Sequence, residues 1–161
     1  MSSSLLSLPE RDPILFAGIA ATLILASAFA FQLAGYHPCE MCWWQRYPYM
    51  AIMAIALVAK AAPTLPRKPI LLLLALLFAV DAGLAFFHAG VEQRGWEGIT
   101  TCSGMVSVTD NVNDALAAIM DAPLIRCDEI AWSLFGISMA GYNFILASAL
   151  TLFCLRRAKS S

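Results

Sequence analysis

The chain is short of charge. Ten basic and eleven acidic residues among 161 make 13%, against about a quarter in ordinary soluble domains. With 60% hydrophobic residues, so few charges cannot cover the surface of a water-soluble domain, so part of the solvent must be lipid. A basic excess is also missing. The net charge is −1, which by itself gives no pointer to nucleic acid, and no nucleic-acid partner is expected. Nor is there a second Cys-x-x-Cys, which weakens any reading as a four-thiolate zinc site.

What is present is a set of four apolar runs. Residues 14–34 form 21 without a charge. Residues 43–61 hold Arg46 near the start and Lys60 near the end, residues 70–87 include Asp81, and residues 133–155 are uncharged. Each approaches the roughly 20 residues that carry a helix across a hydrocarbon core of about 30 Å. Lipid offers the backbone no hydrogen-bond partners, so these runs should be helices. The expectation is an all-α membrane protein, a four-transmembrane-helix bundle forming one integral domain over residues 1–161. Ala28-Phe29-Ala30 offers a cleavage signal for a leader peptide. However, Glu10 and Asp12 flank the one arginine before it, and the uncharged run continues to Ala34. The first run therefore reads as a retained span.

Four spans put both termini on one side. Arg11, Lys60, Arg67, Lys68, Arg156, Arg157 and Lys159 then share that side, and Arg46, Arg94 and Arg126 face the other. The imbalance marks the termini and the 62–69 connection as cytoplasmic. Segments 35–42 and 88–132 become outward loops.

The cysteines sort on this topology. Cys39 and Cys42 fall in the first outward loop, Cys102 and Cys127 in the second, and Cys154 alone at the cytoplasmic end of the last span. Disulfides persist outside the reducing cytosol, whereas Cys154 reads as a small apolar filler. A lone Cys-x-x-Cys suits a redox pair, a static crosslink or half of a zinc site, and position favours the redox reading. Cys39 and Cys42 are one helical turn apart, and Pro38 suits the opening of that turn. A helix start and Arg46, four residues beyond Cys42, both favour the thiolate, which is the reactive species. Arg46 also suits a headgroup anchor, and Glu40 between the thiols partly opposes ionisation. Pro48 implies either a kink near it or a Cys-x-x-Cys turn that forms a separate cap.

The pattern Pro38-Cys39-x-x-Cys42-x-x-x-Arg46 between spans one and two resembles the disulfide bond formation protein B (DsbB) family. So does the cysteine pair between spans three and four, with His88 ending the third span. The resemblance covers Ile14 to about Leu155. It implies a multi-pass enzyme of the bacterial inner membrane that reoxidises a soluble, thioredoxin-fold, DsbA-like dithiol oxidase and passes electrons to quinone, either ubiquinone or menaquinone. On that resemblance Cys102 and Cys127 meet the partner, freed Cys127 attacks Cys39, and Cys42 leaves as a thiolate against the quinone, with Arg46 stabilising the charge.

Other residues keep two readings. His88 suits a proton donor to reduced quinone or an ordinary interfacial residue, and Trp43 and Trp44 suit a quinone pocket or interfacial anchors. Asp81, seven residues before His88, needs a partner inside the membrane and is expected either protonated or hydrogen-bonded near Asn143. Val112, Ala115, Leu116, Ile119 and Met120 recur on one helical face behind a cap at Asp110 or Asn111, either on the bilayer surface or against the bundle. Two other functions compete: a vitamin K epoxide reductase-like enzyme, whose Cys-x-x-Cys is expected after the loop cysteines, and a non-enzymatic scaffold stapled by its disulfides.

Overall fold

The computed structural model describes residues 8–98 and 126–160. Cys102 and the amphipathic stretch 112–120, with its expected cap at Asp110 or Asn111, lie outside the described residues. The described residues are helices and one small hairpin, joined by turns and short irregular connections. In chain order the elements are α1 (Leu8–Arg11), α2 (Pro13–Leu33), α3 (Glu40–Trp44), α4 (Arg46–Ala61), α5 (Arg67–Glu92), β1 (Ser133–Leu134), β2 (Ile137–Ser138) and α6 (Met139–Lys159).

Among the described residues, three helices are long and apolar enough to cross a membrane: α2, α5 and α6. The fourth expected helix is shorter. At 1.5 Å per residue the 16 residues of α4 reach only about 24 Å. The chain breaks at Gln45, between α3 and α4, and Pro48 supplies the reason. Its ring would collide with the Trp44 carbonyl in a continuous helix, and it has no N–H to offer that carbonyl. Restarting at Arg46 puts Pro48 in a first turn, where an N–H is not needed. The Cys-x-x-Cys turn is thus a separate short cap.

Two other boundaries differ from expectation. The third helix runs Arg67–Glu92 instead of 70–87, because polar residues flanking the apolar run remain helical. The last helix starts at Met139, not at Ser133. Phe135 and Gly136 both take positive φ, 50° and 77°, as a two-residue type I′ turn requires. They pair Ser133 with Ser138 and Leu134 with Ile137. Ser138 then caps α6, its hydroxyl accepting from Gly141 N–H at 3.1 Å.

Helix α5 packs along α6, and α2 along α4. Small residues set the α2–α4 distance: Ala17, Ala21 and Ala56 are buried, and a Cβ on Gly18 would stand 2.6 Å from the Ala56 Cβ. Close backbone approach through small residues is how helices associate without a hydrophobic drive between them. The core adds Ile14, Leu25, Tyr49, Ile52, Leu71, Leu74, Phe78, Leu150 and Cys154.

One end of the bundle gathers the polar helix ends. Asp12 caps α2 by accepting from Leu15 N–H at 3.2 Å and binds Lys60 Nζ at 2.6 Å, while Arg67 donates to the Arg11 carbonyl at 3.3 Å. Burial opposes ionisation of Asp12, but the Lys60 and Leu15 hydrogen bonds outweigh it and hold the carboxyl below its usual range. The cysteines of the Cys-x-x-Cys turn lie at the far ends of the same helices.

Candidate active site

Cys39 occupies the N-cap of α3. Its sulfur accepts from Cys42 N–H at 3.3 Å, and its thiol donates to the Cys42 sulfur at 3.0 Å. The single turn predicted from the spacing therefore forms, with a refinement in its electrostatics. The first support for a Cys42 thiolate is the Cys39 thiol. That hydrogen bond outweighs burial, which opposes ionisation as do Cys127 and Glu92, and Cys42 falls below the usual thiol range. Cys39 is pushed up to about 12, first by donating to Cys42 and then by burial, while the His88 contact lowers it.

Arg46 is 5% exposed, and its hydrogen bonds are to α2. Nη1 donates to Gln32 Oε1 at 2.6 Å and Nη2 to the Ala28 carbonyl at 3.3 Å. The guanidinium lies over the rings of Phe29 and Trp43, 4.7 and 4.5 Å from their centroids. Such buried cation–π contacts are worth up to about 2 kcal/mol. Trp43 is therefore a platform for Arg46 and is not among the residues lining the adjoining cavity. One residue past Cys42, it is turned about 100° around the helix, towards α2.

His88, 3% exposed, reaches the same turn from α5. Its Nε2 is 3.5 Å from Cys39 Sγ and 3.9 Å from Glu92 Oε1. The other Glu92 oxygen accepts from the Ser138 hydroxyl, which ties the end of α5 to the start of α6. Cys127 packs with Cys39, Met41 and Val91 in one buried cluster, bordered by Cys42, Trp44 and Phe87. The fold thus assembles Cys39, Cys42, Cys127 and His88 at one end of the bundle. Cys154 sits apart, fully buried in the core.

A cavity of about 400 Å³ opens beside these residues, lined by Cys39, Cys42, Gln45, Arg46 and His88 and by apolar Ile24, Leu25, Phe31 and Leu146 among others. An apolar cleft with a few convergent polar groups is the usual form of a small-molecule site. The ligand atoms of Cys39, Cys42 and His88 also lie within 4.8 Å of one another, the spacing of a possible three-ligand metal set.

The reduced pair is expected to titrate in two macroscopic steps. Cys42 loses its proton below the usual thiol range, and the second step follows at about 12. The Cys42 thiolate is present above its lowered pKa and disappears as the pH falls through it. Cys39→Ala removes the donor and moves the first step upward, whereas Cys39→Ser keeps a hydroxyl donor and leaves it low. The pH dependence of Cys42 alkylation measures this. An unmoved first step in Cys39→Ala would refute the assignment of the donor.

The model of the family described as disulfide bond formation protein DsbB matches residues 10–156. The chain belongs to the DsbB family. Among curated proteins it is similar to disulfide bond formation protein B 2 of Pseudomonas syringae pv. syringae, 27% identical over 86% of this chain and 82% of that protein. Disulfide bond formation protein B of Saccharophagus degradans is 26% identical over 82% of this chain and 81% of its own length. A Shewanella oneidensis protein provisionally named protein-disulfide oxidoreductase DsbI is 29% identical over 95% and 82%. No solved structure matches significantly.

Sequence reasoning missed two side chains of this DsbB-family site, Gln32 and Gln45, and did not connect Asn143 to it. Gln45 is 7% exposed and bonds His88, the Met41 carbonyl and Asn143. Asn143 is the Asp81 partner that the sequence raised as one alternative, at 3.0 Å. The available signal was an amide inside, or at the edge of, an otherwise apolar run. Buried amides need partners, and helices crowded with alkyl groups offer only other polar side chains.

Proposed function

We propose that this DsbB-family chain is a quinone-dependent thiol oxidase of the bacterial inner membrane. It reoxidises a periplasmic, thioredoxin-fold, DsbA-like dithiol oxidase and delivers the electrons to ubiquinone or menaquinone. The observation that carries the reading is the shared cavity: Cys42, Arg46 and His88 border one apolar cleft, with Cys39 and Cys127 packed at its edge. In this reading residues 43–61, the end of α3 followed by α4, make the fourth crossing. The end bearing Arg11, Lys60, Arg67 and the last turn of α6 faces the cytoplasm, in keeping with the excess of basic residues there.

The residues suit a quinone. A flat, apolar ring with two carbonyl oxygens needs greasy walls and hydrogen-bond donors. Ile24, Leu25, Phe31 and Leu146 supply walls. A guanidinium has five N–H donors, and the bonds from Arg46 to Gln32 and Ala28 use only part of them. When bound, the quinone supplies acceptance of two electrons and two protons.

The chain supplies the thiol relay. A thiolate of the partner attacks Cys102 and breaks the Cys102–Cys127 disulfide, freeing Cys127 as a thiolate. Cys127 attacks Cys39, breaks the Cys39–Cys42 disulfide and leaves Cys42 as a thiolate at the cavity wall. Each step exchanges one sulfur–sulfur bond for another. The buried position of Cys127 beside Cys39 supports the second transfer, and Arg46 keeps positive potential at the wall where Cys42 is released.

Trapping thiols with a mass-tagging reagent tests the reading. Protein reduced with a DsbA-like dithiol is expected to carry tagged Cys39 and Cys42, and added quinone should return them to disulfide. Thiol occupancy indifferent to quinone would leave a stapled scaffold instead.

A further inference from the structure

A chain of side chains, buried except for the half-buried Asn143, runs from the middle of the bundle to the catalytic turn, and its hydrogen bonds have a fixed polarity. It starts at Asp81 on α5, which is fully buried. Asn143 of α6 donates from Nδ2 to Asp81 Oδ2 at 3.0 Å and to Gln45 Oε1 at 2.8 Å. Its oxygen accepts from Tyr49 of α4 at 2.5 Å. Gln45 Nε2 meets the Met41 carbonyl at 3.2 Å and His88 Nδ1 at 2.8 Å. The final member, His88 Nε2, faces Cys39 Sγ at 3.5 Å and Glu92 Oε1 at 3.9 Å, and the ring also donates to the Cys127 backbone carbonyl.

Donor and acceptor inventory settles the direction. The Met41 carbonyl can only accept, so the Gln45 amide nitrogen must face it. That orientation turns the Gln45 oxygen to Asn143, whose nitrogen must then point inward. The Asp81 carboxylate accepts from that same nitrogen, and the Tyr49 hydroxyl satisfies the remaining oxygen. Both N–H groups of each amide are committed. The second Gln45 N–H meets Nδ1, which must therefore present a lone pair, and an imidazolium would set one N–H against another. The proton of the neutral ring is left on Nε2, against Cys39.

We propose that Asp81 is a positioning residue that, through Asn143 and Gln45, holds His88 as the Nε2–H tautomer and aims that hydrogen at the Cys39 sulfur. His88 is thereby a donor to the thiol pair, neither a base towards Cys39 nor an Nε2 ligand for a metal ion. The choice of tautomer by the partner of the opposite ring nitrogen is general for histidine. An acid in the apolar centre of the bundle, expensive to bury, gains a reason to be there. The tautomer follows from the hydrogen bonds alone, and only its use by the thiols rests on the oxidase reading.

The test is nitrogen NMR of the full-length protein, reduced and histidine-labelled, in lipid nanodiscs. The chain has two histidines, so a His37→Asn control assigns the spectrum. The native protein is expected to show a pyridine-type Nδ1 and a pyrrole-type Nε2 for His88. Gln45→Glu, which accepts at Nδ1, should reverse the two signals. Asp81→Leu and Asn143→Leu cut the chain at different helices and should each give a mixture of tautomers. Asp81→Asn keeps an acceptor oxygen for Asn143 and should restore the native pattern, a rescue that loss of packing alone would not predict. A protonated Nδ1 in the native protein overturns the proposal. So does a native spectrum in Gln45→Glu, or in both Asp81→Leu and Asn143→Leu. None of these readouts needs quinone or turnover, so a failed oxidase assay and a failed tautomer are separate results.

Discussion

Cys42→Ser is expected to abolish quinone reduction, with turnover falling on the order of a thousandfold or more, while Cys154→Ser turns over at the native rate. The two positions separate chemistry from packing. Cys42 is half-buried at the cavity wall with a thiol donor 3.0 Å away, and a serine there neither forms a disulfide with Cys39 nor ionises near neutral pH. Cys154 is fully buried among alkyl groups in the core. A serine introduced there can return its hydrogen bond to the carbonyl four residues back, as Thr22 does to Gly18 and Thr151 to Ala147, which keeps the cost of burying a hydroxyl small. The measurement is quinone reduction by protein in proteoliposomes with a DsbA-like dithiol as donor. Full turnover by Cys42→Ser would end the assignment, and collapse in Cys154→Ser would mean that the core cysteine takes part.

Much of this architecture could be read from the sequence, because lipid imposes a simple rule. Uncharged runs of about 20 residues have few alternatives to helix, and three of them form helices of spanning length. The spacing of Cys39, Cys42 and Arg46 likewise needed only helical geometry. What escaped was set by how helices are turned against one another. Arg46 was legible as a cation one turn beyond Cys42, yet its hydrogen bonds go to Gln32 and Ala28 of α2, a pairing fixed by the rotation of α2 against α4. The hydrogen bonds of Gln45 are equally hidden, since its partners come from α3, α5 and α6. The start of α6 was misjudged for a local reason. Leu134-Phe135-Gly136-Ile137 is apolar enough to read as helix, but Gly136 permits a tight turn that Phe135 joins at positive φ.

Arg46→Leu should lower kcat/KM for quinone by about 10²- to 10³-fold, the usual scale for losing one preorganised donor in a dry site. Arg46→Lys should recover only part of that loss. The reason lies in the surroundings of the guanidinium, which is planar, sandwiched near Phe29 and Trp43 and forked onto two acceptors of α2. A lysine ammonium keeps the charge but cannot fill the fork or stack as a plane. Its nitrogen would be drawn to Gln32 and away from the cavity wall. The expected signature for lysine is a raised KM with a modest change in kcat, and for leucine a fall in both kcat and kcat/KM. Steady-state rates over a range of quinone concentrations, with the thiol donor saturating, separate the two. Native kinetics in Arg46→Leu would show that the guanidinium serves only to pin α4 to α2. Trp43→Ala, which removes the platform and leaves the charge, should then be silent as well. If the guanidinium instead serves the cavity, Trp43→Ala reproduces the lysine phenotype, although Trp43 itself is not part of the cavity wall.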